Sequence, residues 1–339
     1  MPSFLKEARR WLPGAVISVL LIAGLLYFVD LPKVFAAIAA ADYGLLAVAA
    51  VLSMGWMLLR AVVWRTLLQE RASYHDVLMS LSEGYLLNGI LPLRLGEIGR
   101  AFMLSRKSTL AFAEVLPTII IERAVDIGFT AALFLAALPF VAGAAGAGRI
   151  GLVVGVIVLI GLAGMYVLAR QQARALALFH RLGARWPVVQ RLVGGLLEPF
   201  LAGLTVLTRG WVFARFLFWM TLNWAVAVLN YYLTVRAFFP QTQVTWAMFV
   251  LGAAAFGGAV PSLPGAVGTF EGAFAGALTL LTGDQSTSLA VALVARFLNY
   301  LSGFSFGGYA MSREGESLSA IYRQLVNFRN KGKSYDSPV

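Results

Sequence analysis

Six apolar runs, near 12–29, 45–64, 110–141, 149–169, 211–235 and 286–310, are long enough to cross a bilayer as helices. A hydrocarbon core of about 30 Å takes roughly 20 helical residues. Backbone placed there must satisfy its own hydrogen bonds, which leaves helices and closed barrels. The runs therefore predict an all-α polytopic membrane protein. Composition agrees: 60% of the 339 residues are hydrophobic, 13% are charged, and the mean hydropathy is +0.79. The first run follows "KEARR", as a signal peptide would. Its apolar core exceeds the usual roughly 7–15 residues, so a retained span is expected. Without cysteine, disulfides and thiolate chemistry are excluded.

Two further apolar stretches, 77–91 and 244–260, run into proline–glycine clusters, and helical patterns resume near 97–105 and 268–282. At 1.5 Å per residue the first reaches about 22 Å, short of a crossing. Both read as re-entrant helix–break–helix elements. The basic residues support six full spans with both termini inside. In that arrangement Arg65, Arg71, Arg106, Lys107, Arg170, Arg181, Arg209 and Arg313 are among the cytoplasmic charges. The outer loops keep Lys33, Arg149 and Arg236. The expected organisation is a single integral membrane domain over 1–339, with a cytoplasmic loop at 170–210 and a cytoplasmic tail at 312–339. The net charge of +11 is read as membrane orientation, and no nucleic-acid partner is expected.

The two breaks align. Gly89-x-x-Pro92-x-x-x-Gly96-x-x-Gly99 matches Gly258-x-x-Pro261-x-x-x-Gly265-x-x-Gly268 at an offset of 169. Downstream, Arg123-Ala-Val-Asp126 matches Arg296-Phe-Leu-Asn299 at an offset of 173. Trp56 and Trp224 match upstream, which alone would mean little. The repeats, about 45–141 and 211–311, face opposite ways in the expected topology. That is the inverted repeat of alternating-access transporters. Proline ends each first half-helix, and glycine leaves the turn's N–H groups open to approach. Each second half-helix then presents free donors and a partial positive charge. Arg94 and Arg100 add full charge, so an anionic group such as a lipid phosphate is the expected guest. The candidate substrate-binding residues are Asn88, Pro92, Arg94, Gly96, Glu97, Gly99, Arg100, Pro261, Gly265, Gly268 and Glu271. The rival reading makes the breaks packing features only.

Glu122, Arg123, Asp126, Arg296 and Asn299 form a candidate relay or pairing set at membrane depth. An isolated charge there costs roughly 2.5–3.5 kcal/mol. Glu122 and Asp126 share a helix face, and Arg123 lies three residues before Asp126, so local ion pairs are one reading. Glu271 has no basic neighbour in sequence and calls for Arg296, Arg123, a cation or a proton. Asn223 and Asn230 are expected to hydrogen-bond inside the bundle. His75 and His180 lack metal-ligand spacing, and no Walker A or G-x-G-D motif occurs; the G-x-S-x-G spacing at Gly303, Ser305 and Gly307 falls inside the 286–310 apolar run and makes no serine elbow. No enzymatic activity, metal or cofactor is expected.

The stretches "NGILPLRLGEIGRAFML", "IIIERAVDIG", "PSLPGAVGTFEGAF" and "ARFLNYL" resemble the lysylphosphatidylglycerol synthase transmembrane (flippase-like) family, over roughly 10–312. In larger members such a domain precedes a soluble aminoacyl-transferase domain. A stand-alone member without it is expected here, so synthase activity is not implied. The resemblance implies movement of a lipid between leaflets of a bacterial cytoplasmic membrane. Its partner would be an anionic phospholipid, a hopanoid or a glycolipid, with a lipid-synthesis enzyme as a further partner. It carries roles in that process onto Pro92, Arg94, Gly96, Glu97, Arg100, Glu122, Arg123, Asp126, Pro261, Gly265, Gly268, Glu271 and Arg296. Two rivals remain: a secondary transporter of a small soluble anion, and a non-transporting scaffold for a lipid-modifying enzyme.

Overall fold

The computed structural model describes residues 29–90, 96–142, 163–183, 200–260 and 262–314, with isolated positions 19, 156, 160, 161 and 197. Most of the runs at 12–29 and 149–169 lies outside the described residues, as do Pro92, Arg94 and Pro261. Among the described residues the regular structure is entirely helical.

A short helix, α1 (Leu31–Ala39), stands where the sequence suggested only a loop. Pro32 in its first turn and the Asp30 carboxylate, accepting from Lys33 N at 3.4 Å, account for its start. Next comes α2 (Tyr43–Leu67), which Asp42 caps by accepting from Leu45 N at 3.1 Å. It is followed by α3 (Tyr74–Ile90), α4 (Gly96–Lys107) and α5 (Phe112–Ala137). The 170–210 segment contains α6 (Gln172–Gly183) and a 3-10 turn, Leu204–Thr208. The second half runs α7 (Gly210–Arg236), α8 (Val244–Ala259), α9 (Thr269–Thr282) and α10 (Gln285–Glu314).

Four stretches are long and apolar enough to cross a membrane: Tyr43–Leu67, Phe112–Val141, Gly210–Arg236 and Gln285–Arg313. Each lies within three residues of an expected run. The order long, short, short, long thus occurs twice: 25, 17, 12 and 26 residues, then 27, 16, 14 and 30.

Packing repeats too. Helix α3 folds back on α4, and α8 on α9. Small residues permit the close approach: a Cβ added to Gly84 would stand 2.9 Å from Gly96 O, and one on Gly257 would stand 2.6 Å from Thr269 O. Each hairpin then packs its first helix on the last helix of the other half, α3 on α10 and α8 on α5. The leading helices α2 and α7 pair with each other. Asn230 joins them by donating to Ala49 O at 2.6 Å and Ser53 Oγ at 2.8 Å. Asn223 adds a bond to Trp56 O at 3.1 Å.

The two hairpins open at opposite ends of the bundle. The first opens where Arg71 pairs with Glu114 at 3.2 Å and Arg215 pairs with Glu70. The second opens where Asp42 N meets Ala237 O at 2.9 Å and Thr282 meets Ser288 at 3.2 Å. Large apolar side chains such as Phe35, Val51, Trp211 and Leu280 point outward. Such a surface is at home in lipid rather than water.

Candidate functional site

Arginine 60 is the centre of the charged site. Its side chain is 2% exposed, and Glu122 beside it is fully buried. Arg60 donates to Glu122 Oε1 at 2.6 Å, to Asp126 Oδ1 at 3.0 Å and also to Asp126 Oδ2. Asn223 Oδ1 accepts from the same guanidinium at 3.3 Å. From α4, Arg100 reaches Glu122 at 3.3 Å and Glu97 at 2.9 Å. Arg123 completes the set, 3.2 Å from Glu97, 3.4 Å from Glu122 and 3.3 Å from Asp126. Three guanidiniums thus face three carboxylates, and the network is electrically neutral. Aromatic faces lie beside two of the guanidiniums: Arg60 is 5.7 Å from the Trp56 ring centre and Arg100 4.7 Å from that of Trp64. Trp224 Nε1 donates to Asp126 at 3.2 Å, so both repeat-matched tryptophans flank the network.

Arg100 was expected to present free positive charge, and the structure places it otherwise. Its guanidinium is 2% exposed and committed to Glu97 and Glu122. The sequence reading also passed over Arg60, a lone arginine inside the 45–64 run. Glu83 was overlooked in the same way. It is fully buried on α3, and Lys107, expected as a loop charge, reaches it at 2.9 Å.

At the first break, Asn88 caps α4: its Oδ1 accepts from Gly96 N at 2.9 Å, and its amide donates to Glu97 at 3.4 Å. The space a Gly96 side chain would need holds Gly84 O and Asn88 Oδ1. Gly96 therefore serves close packing of the hairpin. Gly99 is buried in the next turn of α4.

The second break is built around Arg296. Its Nε donates to Glu271 Oε1 at 2.6 Å, Nη2 to Ala266 O at 2.9 Å, and Nη1 to Gly265 O. Phe270, 4.2 Å away, and Tyr300, 5.3 Å away, cover its faces. Glu271 also accepts from Gly268 N at 2.8 Å, capping α9. Of the partners open to Glu271 from sequence, the structure supplies Arg296. Gly265 and Gly268 hold φ values of 70° and 88°, the left-handed region natural to glycine. Asn299 is exposed, one turn beyond Arg296 on α10.

The halves therefore share one device. An arginine eleven residues into the last long helix (Arg123 in α5, Arg296 in α10) pairs with a glutamate in the first turn of the second hairpin helix. Eleven residues place each about 16 Å along its helix. The hairpin tips also meet, since a Cβ on Gly265 would stand 3.2 Å from Gly89 O.

Fold and site together define a polytopic helical membrane protein with two repeated hairpins around a buried charge network. The chain belongs to the lysylphosphatidylglycerol synthase TM region family, which it matches over residues 14–307. It is also similar to a "UPF0104 membrane protein" of Methanothermobacter thermautotrophicus, at 22% identity over 329 residues, covering 92% of this chain and 96% of that one. No solved structure matches it.

Proposed function

We propose that the protein moves a lipid with an anionic or glycosylated head group between the leaflets of a cytoplasmic membrane, its termini on the cytoplasmic side. One observation carries the reading: two hairpins open at opposite ends, their tips touch, and each is held by an arginine–glutamate pair. In a membrane they would be re-entrant elements of an inverted repeat, the arrangement used for alternating access. Because the network is neutral, a head-group phosphate would enter by replacing a carboxylate, Glu97 being the most exposed of the three. Phosphate can then take the contacts that Arg100 and Arg123 now give to Glu97. The chemistry is exchange of ion pairs, with no bond made or broken in the lipid, so no enzymatic role is assigned.

Purified protein in liposomes tests the proposal. Leaflet exchange of a labelled anionic lipid supports it. Uptake of a soluble anion without lipid exchange would favour a secondary transporter, and neither activity would favour a scaffold.

A further inference from the structure

At the end of the bundle where the first hairpin opens, α2, α5 and the 3-10 turn Leu204–Thr208 border an open polar cavity of about 430 Å³. That volume falls in the roughly 300–1,000 Å³ range of small-ligand sites. Its lining includes Gln69, Arg71, Glu114, Thr118, Gln172 and Arg209. Two guanidiniums thus face a single carboxylate, and the lining carries a net positive charge.

That carboxylate is already engaged. Glu114 accepts from Ala111 N at 2.9 Å through one oxygen and from Arg71 at 3.2 Å through the other. Arg209 and Gln69, by contrast, have no side-chain partner among the described residues. Gln69 and Glu70 adopt φ values of 54° and 59°, a costly conformation for residues with side chains. The bend sends neighbouring side chains to different places: Gln69 lines the cavity, while Glu70 pairs with Arg215 outside it. The carboxylate that would repel an anion is thereby kept away.

The inner wall leads to the charge network. Thr118 accepts from Trp64 Nε1 at 3.1 Å, and the Trp64 ring lies 4.7 Å from the Arg100 guanidinium. One indole separates the cavity from Arg100 and Glu122.

We propose that this cavity binds a phosphate mono- or diester group, with Arg209, Arg71 and Gln69 as donors. Its use as the entry point for a transported lipid rests on the function proposed above; the binding itself does not. Phosphate could arrive on a lipid head group of the adjoining leaflet or as a free anion. The shared chemistry is charge-assisted hydrogen bonding from guanidinium.

Calorimetric titration of the purified full chain in phosphatidylcholine nanodiscs tests the site, with dihexanoyl phosphatidic acid and inorganic phosphate as probes. Saturable binding of phosphatidic acid alone assigns the site to lipid, and binding of both assigns it to the anion in general. Arg209→Gln should weaken that binding about tenfold, the worth of one charge-assisted contact. Its melting temperature should not move, because the exposed side chain has no partner among the described residues. Arg313→Gln, an exposed charge elsewhere, should leave the affinity unchanged. No saturable binding of either probe, or equal affinity in Arg209→Gln and wild type, overturns the proposal. Leaflet exchange is measured separately: binding that depends on Arg209 in a protein showing no exchange keeps the site and removes the transport reading.

Discussion

Arg296 holds Glu271 at 2.6 Å and, with the same guanidinium, the carbonyls of Gly265 and Ala266. One side chain thus fixes both the turn of the second break and the helix that follows it. Arg296→Leu should destabilise the protein by about 3–5 kcal/mol, because it leaves a buried carboxylate unpaired. Glu271→Gln should cost less, since Arg296 keeps its two carbonyls and glutamine still offers Gly268 an acceptor. Melting temperatures of the two purified variants check the order, and the reverse order would remove Arg296 from this role.

Arg60 makes a sharper case. Arg60→Leu leaves two arginines against three buried carboxylates, with Asp126 reduced to Arg123 and Trp224, and a loss again of about 3–5 kcal/mol is expected. Arg60→Lys keeps the charge but loses the planar fork that serves two carboxylates at once, so its stability should fall between. Adding Asp126→Leu to Arg60→Leu restores neutrality and should recover part of the loss. A double-mutant cycle without coupling would mean that the pair does not act as a unit.

Gly265 separates backbone geometry from simple helix propensity. Gly265→Ala meets the Tyr300 hydroxyl and an unfavourable φ of 70°, and should destabilise by about 1–2 kcal/mol. Gly276→Ala, in open space on α9, should stabilise by roughly 0.5–1 kcal/mol. Thermal melts of both variants are the check, and like responses at the two sites would contradict the assigned turn.

The apolar runs made four long helices legible, because hydropathy and length alone decide a span. Both hairpins were legible from Pro92 and Pro261 with their matched glycines. What could not be read was pairing across the fold. Arg60 and Glu122 are 62 residues apart and on different helices, so no local spacing connects them. The same holds for Arg296 and Glu271, 25 residues apart, although their types and depth narrowed the choice. Arg100 misled because charge in sequence says nothing of its partner: at a break it resembled a ligand donor, and in space it serves Glu97 and Glu122. Glu83 and Lys107 hid in the same way, one within an apolar helix and one beside a basic loop.

The proposed orientation in the membrane rests on the charges at the two ends of the bundle. Lys33 and Asp284 lie at the end where the second hairpin opens, and Asp284 feels the Lys33 charge. Cysteines replacing either residue should react with an impermeant thiol reagent in intact cells, and Arg181→Cys should not. The native chain contributes no background. Labelling at Arg181 together with protection at Lys33 would reverse the assigned sidedness.

Leaflet exchange bears most directly on the central claim. Proteoliposomes carrying a fluorescent anionic lipid would be treated with an impermeant quencher, and the quenched fraction followed over time. The account predicts that wild-type protein exposes lipid of the inner leaflet to the quencher far faster than empty vesicles do. Glu97→Gln combined with Arg123→Gln, which keeps the network neutral but removes one hairpin's pair, should slow that exchange at least tenfold while the protein still melts cooperatively. Wild-type vesicles that quench no faster than empty ones would contradict the account.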